Sequence, residues 1–245
     1  MISYGPLARW YDDLTGDVPY EKFDDFYCSI FDKSHVPVRM VLDLACGTGS
    51  MTMLLAERGY EMIGVDGSAD MLSVAAEKAS ADTNIIPPLF LCQDMAELDL
   101  YGTVDAAVSC LDSIDYLPPA QLPEVFHRLH LFIVPGGALI FDVHSPEHLR
   151  ELDGQTFVDE TDDVFCLWRA EFDEDENALI YGMDIFNREG ELWSRDGEEH
   201  VEYAHSCELL TRLLEEAGFC EISIRTDGPL SDQGRIFITA VNGNH

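Results

Sequence analysis

The stretch Val41-Leu42-Asp43-Leu44-Ala45-Cys46-Gly47-Thr48-Gly49-Ser50 decides the fold. Val41, Leu42 and Leu44 supply a buried strand. Gly47 and Gly49 then allow a tight turn and a close ligand approach that a side chain would block. Met51 to Arg58 carries good helix formers, with Gly59 as its stop. A helix N-terminus beside a glycine turn offers unpaired N–H groups to an anionic ligand group. A second strand, Glu61 to Val65, ends at Asp66, an acid placed to accept ribose hydroxyls. Strand, glycine turn, helix, strand and acid together read as a nucleoside-cofactor site.

The glycine spacing narrows the cofactor. The run Gly47-Thr48-Gly49-Ser50-Met51-Thr52 lacks the third glycine of the dinucleotide fingerprint. The segment Asp43-Leu-Ala-Cys-Gly-Thr-Gly49 instead resembles the first motif of class I S-adenosylmethionine-dependent methyltransferases, of the small-molecule type that includes glycine/sarcosine N-methyltransferases. The family often has glycine where this chain has Ala45. Further pieces fall in register with that family: Asp94-Met95 after a third strand, Cys110-Leu111-Asp112 at the end of a fourth, and Pro135-Gly-Gly137 before a fifth. A closing helix, an Ala-Gly-Phe step and two last strands complete the pattern.

The resemblance implies an α/β, Rossmann-like, mainly parallel seven-stranded sheet with helices on both faces, plus an inserted antiparallel β lobe after strand five. It implies S-adenosyl-L-methionine as cofactor. Asp43, Ala45, Gly47, Thr48 and Gly49 would surround its amino-acid end; Asp66, Gly67 and Met71 its ribose side; Asp94 and Met95 its adenine. Cys110, Leu111 and Asp112 would wall the sulfur, and Tyr4 and Tyr11 are candidates on a covering N-terminal segment.

The chain divides at three compositional shifts. Residues 1–37 are aromatic and acidic, with helical spacing from Tyr20 through Phe23, Phe26, Tyr27, Ile30 and Phe31. Residues 38–245 form the methyltransferase domain, and between about 155 and 205 the pattern turns to alternating strand segments. That insertion is expected to cover the methyl group. Tyr116, Trp168, Tyr181 and Trp193 are candidate acceptor contacts, with Arg169, Arg195, Tyr203 and His205 as further lobe residues. His144 and His200 are the candidate bases, beside Asp142. No G-x-S-x-G elbow and no H-x-x-x-H spacing indicates a serine nucleophile or a catalytic metal, so no metal is expected.

Charge restricts the partners. Fourteen Lys and Arg face 47 Asp and Glu, a formal net charge of −33. Nucleic-acid binding rests on neutralising phosphates with basic side chains, and no basic cluster exists to do so. A small-molecule methyl acceptor is therefore expected, on nitrogen or oxygen. No apolar run approaches the ~20 residues that span a bilayer. The seven cysteines form no C-x-x-C pair and read as reduced thiols of a cytoplasmic protein. Two other readings stay open here: a nicotinamide-dependent oxidoreductase sharing the turn and Asp66, and a non-catalytic module that only holds S-adenosylmethionine.

Overall fold

The computed structural model describes residue 5 and residues 7–243. Two short helices come first, α1 (Tyr11–Leu14) and α2 (Tyr20–Phe31). Strand and helix then alternate: β1 (Met40–Leu44), α3 (Ser50–Glu57), β2 (Glu61–Asp66), α4 (Ala69–Ala81), β3 (Leu89–Cys92), β4 (Val104–Ser109), α5 (Leu122–Phe132) and β5 (Ile133–His144). After α6 (Pro146–Glu151) come four lobe strands, β6 (Thr156–Glu160), β7 (Val164–Asp173), β8 (Ala178–Glu189) and β9 (Leu192–Tyr203). The chain closes with α7 (Cys207–Ala217), β10 (Phe219–Arg225) and β11 (Arg235–Asn242).

The main sheet has seven strands in the order β10-β11-β5-β4-β1-β2-β3. All neighbours are parallel except β11, which runs antiparallel to both β5 and β10. Alternation along the central strands explains why helices cover both faces. On β5, Leu139, Phe141 and Val143 join α5 and α7 in one apolar cluster, whereas Ala138 and Ile140 join α2 and α3 in the other. The order reverses between β4 and β1, so the carboxyl ends of these strands open a crevice. The glycine turn leaves β1 at that crevice.

The lobe is an antiparallel sheet, β6-β7-β8-β9, inserted between β5 and α7. Its inner face buries Cys166, Met183 and Ile185 against Leu7, and Ala170 and Leu179 against Leu149 of α6. The sequence reading assigns no element to β6 or α6. The signal for α6 is present: Ser145 caps it by accepting the His148 N–H at 3.1 Å, and proline follows at the first helical position. No helix among the described residues is long and apolar enough to cross a membrane.

One expectation needs correction. Pro135-Gly-Gly137 is not a turn ahead of the fifth strand but lies inside β5, which starts at Ile133. Gly136 takes φ +82°, and the pairing with β4 shifts register between Val104 and Ala106. A Cβ at Gly137 would stand 2.5 Å from the Asp105 carbonyl oxygen and 2.8 Å from that of Val134. Backbone packs there without space for a methyl group. Gly137→Ala should therefore destabilise the protein by about 2 kcal/mol or more, read as a lowered urea midpoint with an unchanged slope.

Candidate active site

The glycine turn is closed by the Gly49 N–H donating to the Cys46 carbonyl at 2.9 Å and is anchored by its neighbours. Cys46 N–H donates to the Val65 carbonyl at 3.0 Å, tying the turn to β2. Asp66, at the end of β2, accepts the Gly47 N–H at 2.9 Å on one oxygen and the Ser68 N–H at 2.7 Å on the other. Its carboxylate is thereby fixed facing the crevice, with lone pairs left for a diol. Gly47 (φ +54°) and Gly49 (φ +77°) both lie in the left-handed region, and Gly49 precedes the first residue of α3. Ala45 is also left-handed, at φ +60°, a conformation that strains an L side chain. The alanine that departs from the family pattern thus carries a backbone cost.

These elements enclose a cavity of about 700 Å³. Its first part is lined by Asp43, Ala45, Gly47, Thr48, Asp66, Gly67, Met71, Asp94 and Met95, all expected from sequence. Asp94 caps the short turn Met95–Glu97 by accepting the Ala96 N–H at 2.8 Å. The cavity continues past Cys110 and Leu111 to Tyr116, and the lobe closes it with Glu199, Val201 and Tyr203. Tyr11 and Tyr20 complete the wall from the N-terminal segment; burial raises both hydroxyls above their ordinary range, so both stay neutral donors.

Other expected residues lie elsewhere. Gly49 stands behind the wall, where a Cβ would meet the Ala75 Cβ at 3.0 Å. Tyr4 lies outside the described residues. Trp193 is 50% exposed near the β8–β9 hairpin and does not line the cavity. Trp168 and Tyr181 pack edge to face on the lobe, ring centroids 6.0 Å apart, also off the cavity wall. Arg169 and Arg195 both bind Asp184, and His205 is buried with its Nε2 3.0 Å from the Leu117 carbonyl. For the residues of β7 to β9, alternation fixes which side chains share a face, but not how either face meets the rest of the protein.

His200 is buried at the back of the wall. Its Nε2 lies 3.0 Å from Glu198 Oε2 and its Nδ1 3.4 Å from the Tyr116 hydroxyl. With Nε2–H donating to the carboxylate, Nδ1 is left to take a hydrogen from Tyr116.

Asp112 and His144 belong to a buried charge network that sequence reading did not assemble. Arg235, at the start of β11, donates from Nη1 to Asp112 Oδ1 at 2.6 Å and to Asp142, and Nη2 lies 3.3 Å from His144 Nε2. Asp142 in turn accepts the Leu111 and Asp112 N–H groups at 3.1 and 3.0 Å. Burial works against the ionised Asp112, but Arg235 and His144 outweigh it and hold the carboxyl below its ordinary range. Burial likewise pulls His144 down, yet Asp112 and Glu202 leave its pKa raised. Asp112, His144 and Glu202 bring three possible ligand atoms within 4.8 Å of one another. If neutral His144 accepts from Arg235 through Nε2, Nδ1 bears the hydrogen; as imidazolium it bears one too. His144 Nδ1 thus presents a donor, not a lone pair, toward Glu202 at 3.6 Å, and the set reads as a charge network rather than a cation cage.

Comparison with known proteins agrees with this geometry. A family model described as a methyltransferase domain matches residues 41–137. YqeM of Bacillus subtilis (strain 168), described as a methyltransferase, is 34% identical over 98% of this chain and 97% of its own. The chain belongs to the class I S-adenosylmethionine-dependent methyltransferases. A solved S-adenosylmethionine-dependent methyltransferase from Clostridium acetobutylicum ATCC 824 superposes with a TM-score of 0.83, at 28% identity and 98% coverage of both chains. The likeness to a glycine/sarcosine N-methyltransferase of Halorhodospira halochloris is partial, 27% identity over 56% of this methyltransferase and 51% of the other. The sugar N-methyltransferase KedS8 from Streptoalloteichus sp. ATCC 53650 shares the fold, with a TM-score of 0.78 at 22% identity.

Two outcomes follow from the strained turn and the buried acid. Ala45→Gly should stabilise the methyltransferase by about 1 kcal/mol in urea denaturation, because glycine adopts the left-handed region freely. Burial pushes Asp43 up to about 7, the hydrogen bond from Thr52 only partly opposing it. A raised folded pKa means that stability is fully present below the ordinary carboxylate range and is lost as pH rises through about 7. Asp43→Asn should flatten that decline between about pH 4 and pH 7, measured as unfolding free energy against pH.

Proposed function

We infer that this methyltransferase moves a methyl group from S-adenosylmethionine to the nitrogen or oxygen of a small molecule. The observation that carries the reading is the continuous cavity, which runs from Asp66 and Asp94 past Leu111 to Tyr116 and the lobe. At about 700 Å³ it has room for a nucleoside cofactor and a further ligand. The covering segment of residues 1–37 and the lobe at about 155–205 serve in this reading as lids of one catalytic unit. Nitrogen acceptors are favoured by the names of structural relatives such as KedS8, a sugar N-methyltransferase.

The donor set fits the cofactor. Asp66, fixed by two backbone amides, presents its carboxylate as an acceptor for ribose hydroxyls. In this reading Asp94 and Met95, which line the same cavity, contact the adenine, and the turn at Gly47 admits the amino-acid end. When bound, the sulfonium supplies an already activated methyl group. The chain's own task is then alignment of acceptor, carbon and sulfur, and positioning of that kind supplies roughly 7–11 kcal/mol in favourable systems. Leu111 and Cys110 form the wall beside that line. An acceptor that arrives protonated must lose its proton first. Tyr116, backed by His200 and Glu198, gives a route from the cavity to a buried base.

The reading is tested by binding. S-adenosylhomocysteine should bind and NADH should not, in calorimetry on the same preparation. Asp66→Ala should weaken S-adenosylhomocysteine binding by about tenfold or more, since it removes both the diol acceptor and the carboxylate that holds the turn. Unchanged affinity would take Asp66 out of the site.

A further inference from the structure

The N-terminal segment is fastened at two places, one on Thr48 of the glycine turn and one on Glu198 behind the acceptor wall. Asp12 of α1 is the first. Its Oδ1 accepts the Thr48 hydroxyl at 2.6 Å and the Ser50 hydroxyl at 3.3 Å, and its Oδ2 pairs with Lys78 Nζ at 2.6 Å. Lys78 Nζ also donates to Ser50 Oγ at 3.1 Å. One carboxylate thus ties α1 to the glycine turn, to the first residue of α3 and to α4. The second fastening is at Leu7, whose N–H donates to Glu198 Oε1 at 2.9 Å and whose side chain is buried in the lobe cluster. Between the two, Tyr11 forms part of the cavity wall.

Helix α1 is four residues long; no side chain caps its N-terminus, and the Thr15 hydroxyl closes its other end on the Tyr11 carbonyl at 2.7 Å. A single turn of that length has no stability of its own, so its position depends on these contacts. The Asp12–Lys78 pair is partly solvated, with 40% and 29% of the side chains exposed. Such a pair is weak enough to open and close on the time scale of ligand exchange. We propose that residues 7–14 are a strap across the cavity and that Asp12 is its latch, a positioning residue that governs cofactor exchange. The proposal rests on the reading of this cavity as the S-adenosylmethionine site. The strap lifts from Thr48, Ser50 and Lys78 to admit or release the cofactor, and closes over it.

The lobe end gives the latch a second consequence. The Glu198 carboxylate that holds Leu7 also meets His200, and His200 meets Tyr116. Closing the strap therefore pins the side chains behind the acceptor wall. Cofactor loads first, and the acceptor subsite takes its final shape only after the latch shuts. Glu198 does not line the cavity, so its influence on cofactor release passes through its neighbours, among them Leu7 of the strap and His200 behind Tyr116.

The test is the dissociation rate of S-adenosylhomocysteine from the full chain, followed by tryptophan fluorescence after displacement with excess sinefungin. Asp12→Asn should speed release about tenfold and Lys78→Met about threefold to tenfold, the double variant no faster than Asp12→Asn alone. Asp12→Glu should recover part of the loss. Glu198→Gln should speed release about threefold, while Asp13→Asn, on the exposed side of the same helix, leaves it unchanged. Thermal midpoints should stay within a few degrees throughout, so that rate and stability separate. Unchanged release in both Lys78→Met and Glu198→Gln, or equal acceleration by Asp13→Asn, would overturn the latch. Lys78→Met keeps the test decisive should Asp12→Asn fail to fold. Wild-type protein that binds no S-adenosylhomocysteine would instead overturn the cofactor reading itself.

Discussion

Arg235 is the interaction on which the interior of this methyltransferase turns. It enters at the start of the last strand, is 7% exposed, and neutralises Asp112 and Asp142 together. Asp142 lies near the carboxyl end of β5, the longest strand of the main sheet, with no exposure at all. Its carboxylate reaches across to hold Leu111 and Asp112, two consecutive non-glycine residues in the left-handed region at φ +58° and +52°. A strained turn of this kind persists only where its surroundings over-determine it. Three segments far apart in sequence therefore meet at one guanidinium, and the wall of the cavity is what they support. Removing one partner of such a buried set leaves an uncompensated charge, commonly a loss of about 3–5 kcal/mol.

The same charge logic runs through the acidic chain. Carboxylates outnumber cations more than threefold, at 47 against 14, yet the buried ones are not left exposed to each other. Some are neutralised by arginine, as Asp112 and Asp184 are. Others, such as Asp115 and Glu202, are pushed up by burial and so favour the protonated form. Asp66, Asp94 and Asp105, none of them fully buried, instead accept backbone N–H groups. Of these, Asp66 and Asp94 stood out in the sequence as acids at the end of a strand, read there as cofactor contacts.

Most of the cavity around the glycine turn could be read along the chain because it is built from short, local units. A strand, a turn and a helix start place Asp43 to Thr48 together whatever the rest of the protein does, and the next two strand ends add Asp66 and Asp94 by the rules of parallel sheets. The half proposed for the acceptor is different. Tyr116, Glu199 and Tyr203 meet only because β9 of the lobe packs on the turn Ser113–Tyr116 that follows β4, and Tyr20 joins them from an otherwise structural helix. Trp168 and Trp193 looked like acceptor residues because they are aromatic and near the right segment; the sheet turns one into the lobe packing and the other toward solvent.

The amino-acid sequence by itself determined the alternating α/β order, the glycine turn, the acids at the strand ends and hence the kind of cofactor, because each depends on residues within a few positions of one another. Tertiary structure alone decided which face of the lobe meets the core, that Arg235 binds Asp112 and Asp142 across more than 90 residues of chain, and that Asp12 fastens the N-terminal segment to the glycine turn 36 residues later. Those contacts are set by how sheets and helices pack against each other, and pattern along a chain carries no record of that distance in space.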